Sequence, residues 1–180
     1  LDRDGVLIEN RDDYVRSWSD VEILSGAVEA CARVNALGLP LVLITNQAVI
    51  GRGILAAEEV IALNQRILSV FADNGAPFLD AYICPHHPND GCDCRKPKPG
   101  MILRAAKEHS LDLGRSVVIG DNLTDLGAAD AAGVRGVLVR TGLGADFEQA
   151  LAGRTAPLEV YDDLAQAIDA LFPDASISRP

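Results

Sequence analysis

Carboxylates recur in this chain where apolar runs end, and their spacing suits a divalent cation. Asp2-Arg3-Asp4-Gly5 sets two carboxyls at i and i+2, a spacing that points both side chains to one side of an extended backbone. Two such groups repel each other, and a bound cation relieves the repulsion. Hard oxygen ligands favour Mg²⁺, which keeps waters and shares phosphate oxygens. An acidic turn closing a strand would use the same four residues, with Gly5 allowing the bend. Val117-Val118-Ile119-Gly120-Asp121 repeats the arrangement, with Asp125 four residues later in the first turn of a helix. Asp121 completes the candidate magnesium site. Asp125 either supports that loop or caps the helix, where negative charge is favoured.

The groups that could hold an anion come from two other segments. Leu41-Val42-Leu43-Ile44-Thr45-Asn46-Gln47 ends an apolar run in a hydroxyl and two amides, at the edge where open α/β sheets bind ligands. Thr45 can donate to a phosphate oxygen and Asn46 is a candidate substrate contact, although Thr and Asn after a strand also serve as turns and caps. Gly51-Arg52-Gly53 is a flexible basic turn, a substrate contact or a solvated loop. Cys92-Asp93-Cys94-Arg95-Lys96-Pro97-Lys98-Pro99 gathers cations between prolines that restrict the backbone, and Lys96 would neutralise a transferring phosphoryl group.

These residues need a scaffold that brings strand ends together. Leu41 to Thr45, Ala81 to Cys84, Val117 to Gly120 and Gly136 to Arg140 read as strands alternating with amphipathic segments, which predicts an α/β fold with a doubly wound parallel sheet. Helices are expected from a cap at Ser25 to about Leu37, over Ala57 to Ala72, and from near Pro99 and Thr124. A last helix capped by Asp162 or Asp163 carries Leu164, Ile168 and Leu171 on one face before Pro173, after which the chain should fray. Asp2 follows a single residue, so about four to six apolar residues are expected before Leu1, enough for an ordinary strand.

Residues 1–180 read as one domain, and 48% hydrophobic residues supply an ordinary core. The net charge of -10 argues against nucleic acid, whose binding needs Lys and Arg against phosphates. The longest apolar run is too short to span a bilayer. The expected protein is cytoplasmic, off the membrane and monomeric. Three of the four cysteines fall between positions 84 and 94 beside two histidines, a metal-binding pattern more than a disulfide framework. Cys31 stands apart as a buried, inert thiol, and His109 lies on a polar helix end, open to solvent.

Taken in order, Asp2-x-Asp4, Thr45, Lys96 and Gly120-Asp121 with Asp125 resemble the four motifs of haloacid dehalogenase superfamily phosphatases. The resemblance implies that Asp2 attacks phosphorus, that Asp4 serves as general acid and then base, and that Thr45 and Lys96 hold phosphoryl oxygens. Asp2, the Asp4 carbonyl and Asp121 would bind Mg²⁺. Cys84-Pro85-His86-His87-Pro88 with Cys92-x-Cys94 offers three thiols and an imidazole, a set suited to structural Zn²⁺; an oxidised Cys92/Cys94 pair or unrelated buried thiols would be the plainer account. This zinc loop resembles that of the histidinol-phosphate and heptose-bisphosphate phosphatases, where Cys84, His86, Cys92 and Cys94 take the ligand positions and His87 does not.

Arg95-Lys96-Pro97-Lys98-Pro99-Gly100-Met101, with Arg52-Gly53, looks most like the heptose enzymes of that branch. This implies a small phosphorylated sugar as substrate, on the way to the heptose of lipopolysaccharide or other bacterial glycans. Arg95 is the leading candidate for substrate recognition, with Tyr14 and residues 10–13 as walls. Two departures stand out. Asn122 replaces the Lys or Arg usual after the metal Asp, and Ala48-Val49 replaces a small Ser-Gly pair, adding bulk near the pocket. No large insertion follows Asp4 or Thr45, so no separate cap domain is expected.

Overall fold

The computed structural model describes residues 1–150 and 158–173. Five strands and seven helices alternate along them: α1 (Ala27–Ala36), β1 (Val42–Asn46), α2 (Ala48–Gly51), α3 (Ala57–Asp73), β2 (Asp80–Cys84), α4 (Gly100–His109), β3 (Val117–Gly120), α5 (Leu123–Ala132), β4 (Arg135–Val139), α6 (Gly144–Ala150), β5 (Glu159–Tyr161) and α7 (Leu164–Leu171). β1 pairs in parallel with β2, and β3, β4 and β5 form a second parallel set. Leu1 and Asp2 join the two sets. The Leu1 nitrogen donates to the Val42 carbonyl at 2.8 Å, Ile44 N–H to the Leu1 carbonyl at 2.9 Å, and Asp2 N–H to the Ile119 carbonyl at 3.0 Å. The sheet therefore runs β2, β1, Leu1–Asp2, β3, β4, β5. An apolar cleft of about 430 Å³ lies along this junction, lined by Leu1, Leu41, Val42, Val117 and Val118 among others.

Strand periodicity sorts the core into two layers. Leu41, Leu43, Ile119, Val137 and Val139 pack with α1, α3 and α7, while Ile44, Val118, Tyr82 and Cys84 pack with α4 and α5. Successive side chains of a strand face opposite sides, so buried strands of this kind read as nearly continuous apolar runs. Between Gly5 and α1 the chain makes only a short 3-10 turn, Trp18–Asp20, and α2 begins two residues after β1. No helix of the described residues is long and apolar enough to cross a membrane.

Strand and helix positions match the expected ones to within a residue or two, with instructive differences. The N-cap of α1 is Gly26, at φ +75°, not Ser25; glycine takes this left-handed conformation without a Cβ penalty. Asp163 caps α7, its carboxylate accepting from Gln166 N–H at 2.8 Å. His109 is half-buried rather than solvated, bonded to Asp80 at 2.9 Å and edge-on to Tyr82. Cys31 lies in the core, where burial pushes its thiol up to about 12. The expected fraying after Pro173 lies outside the described residues.

Candidate active site

The C-terminal edge of the sheet gathers the strand-end residues into one cleft of about 240 Å³. Asp2, Asp4, Thr45, Asn46, Gln47, Arg95, Lys96, Asp121 and Asn122 line it, and Asn10, Arg11 and Tyr14 reach it from the loop before α1. Lys96 is the hub. Its ammonium lies 2.9 Å from Asp2 Oδ1 and 2.5 Å from Asp125 Oδ1, and it donates to the Ile44 carbonyl at 2.9 Å. Burial alone would lower the Lys96 pKa, but the Asp125 and Asp2 carboxylates outweigh that and hold it above the usual lysine range.

Asn46 borders the cleft and also has a structural task. Its side chain accepts from Lys96 N–H at 3.1 Å and donates to the Lys96 carbonyl at 3.2 Å, so the amide at the end of β1 fixes the backbone that carries the lysine. Thr45 is buried beside it, its hydroxyl oxygen accepting from Gln47 Nε2 at 2.9 Å. The Thr45 O–H remains available as a donor.

Two carboxylates contact this one ammonium and a third, Asp121, lies beside them. Oxygens of Asp2, Asp121 and Asp125 lie within 4.8 Å of one another. Burial, then the neighbouring Asp2 and Asp125 charges, push Asp121 up to about 7, against the pull of the Leu143 N–H that donates to it at 2.9 Å. Burial and Asp2 likewise raise Asp125 to about 6. This electrostatic frustration fits a cation between Asp2 and Asp121. Gly5 is required here twice: its φ is +76°, and a Cβ would strike the Asp121 carboxylate. Asp125 accepts from Asn122 N–H at 3.1 Å as part of the α5 capping box, and it also pairs with Lys96, a contact outside the loop-support and capping readings.

Asn122 is the other half of that box, its side-chain oxygen accepting from Thr124 N–H at 3.0 Å. Its side-chain oxygen is engaged at the helix start while the residue borders the cleft. Arg52 is exposed at the end of α2 and is not among the residues that line the cleft. Ala48 and Val49 are buried in α2 and add no bulk to the cleft wall, because their side chains join the core. Tyr14 does form part of the wall, with a positive φ of 71°. Arg95 also lines it, and its Nη1 is buried without a hydrogen-bond partner.

Behind that wall stands the cysteine cluster. Cys84 Sγ lies 3.7 Å from Cys92 Sγ and from His86 Nδ1, Cys94 Sγ lies 3.3 Å from Cys84 Sγ and 3.5 Å from Cys92 Sγ, and His86 Nδ1 lies 3.2 Å from Cys94 Sγ. Tetrahedral zinc with ordinary bond lengths separates two sulfurs by about 3.8 Å and sulfur from nitrogen by about 3.6 Å. The four atoms thus approach the spacing of a closed zinc site, and all four cysteines are unbridged. His87 turns aside, its ring nitrogen accepting from Asn89 N–H at 3.2 Å.

Four residues with direct contacts in or behind the cleft escaped the motif reading. Arg3 and Gln47 hold the Asp4 carboxylate, Leu143 holds Asp121, and Asn64 holds Arg3. Only Asn64 carried a signal of its own, an amide on the apolar face that α3 shares among Val60, Ile67 and Phe71.

The parallel fold and the ring of strand-end carboxylates around one lysine define a haloacid-dehalogenase-like hydrolase, and a family model described as HAD-hydrolase-like matches residues 93–167. The chain is 45% identical over 150 residues to a D-glycero-beta-D-manno-heptose-1,7-bisphosphate 7-phosphatase of Vibrio cholerae, covering 79% of this chain and 80% of that one. It is 42% identical over 142 residues to the corresponding alpha-named enzyme of Burkholderia mallei, covering 74% of each. The crystal structure of D,D-heptose 1,7-bisphosphate phosphatase from Bordetella bronchiseptica, complexed with magnesium and phosphate, superimposes with a TM-score of 0.89 at 35% identity, covering 96% of both chains. The chain belongs to this family of D-glycero-D-manno-heptose-1,7-bisphosphate 7-phosphatases.

Proposed function

We propose that the chain removes the 7-phosphate of D-glycero-D-manno-heptose 1,7-bisphosphate in a Mg²⁺-dependent reaction with Asp2 as nucleophile. The observation that carries this reading is the Lys96 ammonium, 2.9 Å from the Asp2 carboxylate on the floor of the cleft, where it can neutralise the phosphoryl group that Asp2 attacks. In the first half-reaction an Asp2 oxygen bonds to phosphorus as the bond from phosphorus to the sugar oxygen breaks. Protonated Asp4 gives its proton to that departing oxygen. In the second, carboxylate Asp4 takes a proton from the water that attacks phosphorus, and Asp2 leaves as a free carboxylate. Thr45 and Lys96 hold phosphoryl oxygens throughout.

Asp2, Asp121 and the Asp4 carbonyl would hold Mg²⁺, which supplies positive charge against the phosphoryl oxygens. The raised pKa values of Asp121 and Asp125 support a cation there. Cys84, His86, Cys92 and Cys94 would hold structural Zn²⁺, tying the segment that carries Arg95 and Lys96 to the end of β2. The place of Arg95 on the cleft wall supports recognition of a second anionic group on the substrate.

Both anomers of heptose 1,7-bisphosphate, and histidinol phosphate, should be offered to the Mg²⁺-loaded enzyme while phosphorus NMR follows which ester is lost. The expected product is heptose 1-phosphate, with histidinol phosphate turned over far more slowly. Comparably poor rates on all three would reject the substrate assignment. Arg95→Ala should raise KM for the bisphosphate by about tenfold or more, the worth of one charge-assisted hydrogen bond.

A further inference from the structure

Asp4 has two proton transfers to perform, and its carboxylate is held in an unusual way. Arg3 meets both oxygens, with Nη2 donating to Oδ1 at 2.9 Å and Nε to Oδ2 at 3.2 Å. Gln47 Nε2 donates to Oδ2 at 3.1 Å. Arg3 itself is only 2% exposed, one of the largest fully buried side chains in the protein. Its remaining edge is anchored from α3, where Asn64 Oδ1 accepts from Arg3 Nη1 at 2.8 Å.

Asn64 is a poor choice for stability at this position. It is 2% exposed, neighbours on its helix face are apolar, and its Nδ2 has no hydrogen-bond partner among the described residues. A buried donor left unsatisfied costs free energy that an apolar side chain of similar size would not. The contact it does make is with the guanidinium that holds Asp4. A guanidinium is planar, with donors in fixed directions, so fastening Nη1 on one edge orients the Nε–Nη2 edge presented to Asp4.

We infer that Asn64 and Arg3 are positioning residues for the proton transfers: Asn64 sets the guanidinium plane, and the guanidinium sets the Asp4 carboxyl where it meets first the leaving oxygen and then the water. This rests on the proposed role of Asp4 as acid and base. It adds a residue from outside all the motif segments, 61 positions away from the arginine it holds.

The test separates positioning from mere folding by the leaving group. kcat/KM reports phosphoryl transfer to the enzyme, which for heptose 1,7-bisphosphate needs a proton on the sugar oxygen. 4-Nitrophenyl phosphate releases a stable phenolate that needs none. Asp4→Asn sets the reference and should cut kcat/KM for the sugar phosphate by about 10²–10⁴-fold with little loss on the aryl ester. Asn64→Ala should lower the sugar phosphate value by about tenfold, the scale of a small misplacement, and leave the aryl ester within about twofold. Asn64→Asp, which keeps an acceptor for Nη1, should restore most of the loss. Arg3→Lys, a point charge that cannot grip both Asp4 and Asn64, should show the same selectivity and serves if Asn64→Ala does not fold. Equal losses on both esters, no loss, or no rescue by aspartate would overturn the inference. If Asp4→Asn is itself unselective, the acid–base reading of Asp4 fails instead.

Discussion

The floor of the cleft and the cysteine cluster behind its wall each group residues that could hold a cation, yet they treat charge differently. On the floor the chain supplies part of the counter-charge itself: Lys96 sits between Asp2 and Asp125, and backbone N–H groups of Leu143 and Asn122 reach Asp121 and Asp125. One ammonium against three carboxylates leaves a deficit, which adds to burial in raising the pKa of Asp121 and Asp125. Around Cys84, His86, Cys92 and Cys94 no cationic side chain is in close contact among the described residues: sulfur and imidazole nitrogen face one another, and backbone N–H groups of His86 and Arg95 reach the Cys84 and Cys92 sulfurs. Burial and the adjacent Cys84 and Cys92 sulfurs push Cys94 up to about 12. A half-balanced site suits an exchangeable metal shared with substrate, and an unbalanced one suits a metal that stays.

The sharpest break in this comparison is chemical. Asp2→Asn should reduce turnover by about 10⁴-fold or more, as loss of a nucleophile does elsewhere, with the zinc content unchanged; near-normal Mg²⁺-dependent activity would end the aspartyl-phosphate mechanism. Cys92→Ser should reverse that pattern. Metal analysis of the parent protein prepared without chelator should find about one zinc per chain, and the variant should lose it together with on the order of 4–5 kcal/mol of stability, the scale of a lost structural metal. A parent without zinc would refute that site.

A smaller effect belongs to the floor alone. Asp121 has its folded-state pKa raised by burial to about 7, above the ordinary aspartate value of about 3.9, so the folded protein binds the proton more tightly than the unfolded chain. Its stabilising effect is full below about pH 4 and is lost as pH rises through about 7, on the order of 2–4 kcal/mol without metal. Thermal melts of Mg²⁺-free protein should therefore show a decline over that window. Asp121→Asn should flatten it, and Mg²⁺ should stabilise the parent more at pH 8 than at pH 5. A Mg²⁺ effect independent of pH would contradict the frustrated-carboxylate account. Smallest of all, Asn122→Ala should cost about 1 kcal/mol for a lost helix cap and leave KM nearly unchanged; a large rise in KM with full stability would place Asn122 in substrate binding.

Much of the site was legible because its chemistry is local. A carboxylate or hydroxyl at the end of an apolar run marks the C-terminal edge of a parallel sheet, which made Thr45 and Asp121 readable, while close spacing made Asp2 with Asp4 and the cysteine cluster readable. Ala48-Val49 misled for the same reason, since proximity in sequence to Thr45 placed them near the cleft, whereas α2 carries their side chains into the core; Arg52 is exposed, in keeping with the solvated-loop alternative. Asn46 was found but its partner was not, because the amide faces a backbone fifty residues on.

The sequence by itself determined the alternating fold, the order of the strands along the chain and the types of group at each strand end, since period, composition and spacing act over a few residues. Tertiary structure alone decided which groups share a charge. Lys96 balances Asp2 and Asp125, Leu143 restrains Asp121, and Asn64 fastens Arg3 against Asp4. Such pairings depend on distances of a few ångströms between segments far apart in the chain, and hydrogen bonds and desolvation are settled only when the helices close over the sheet.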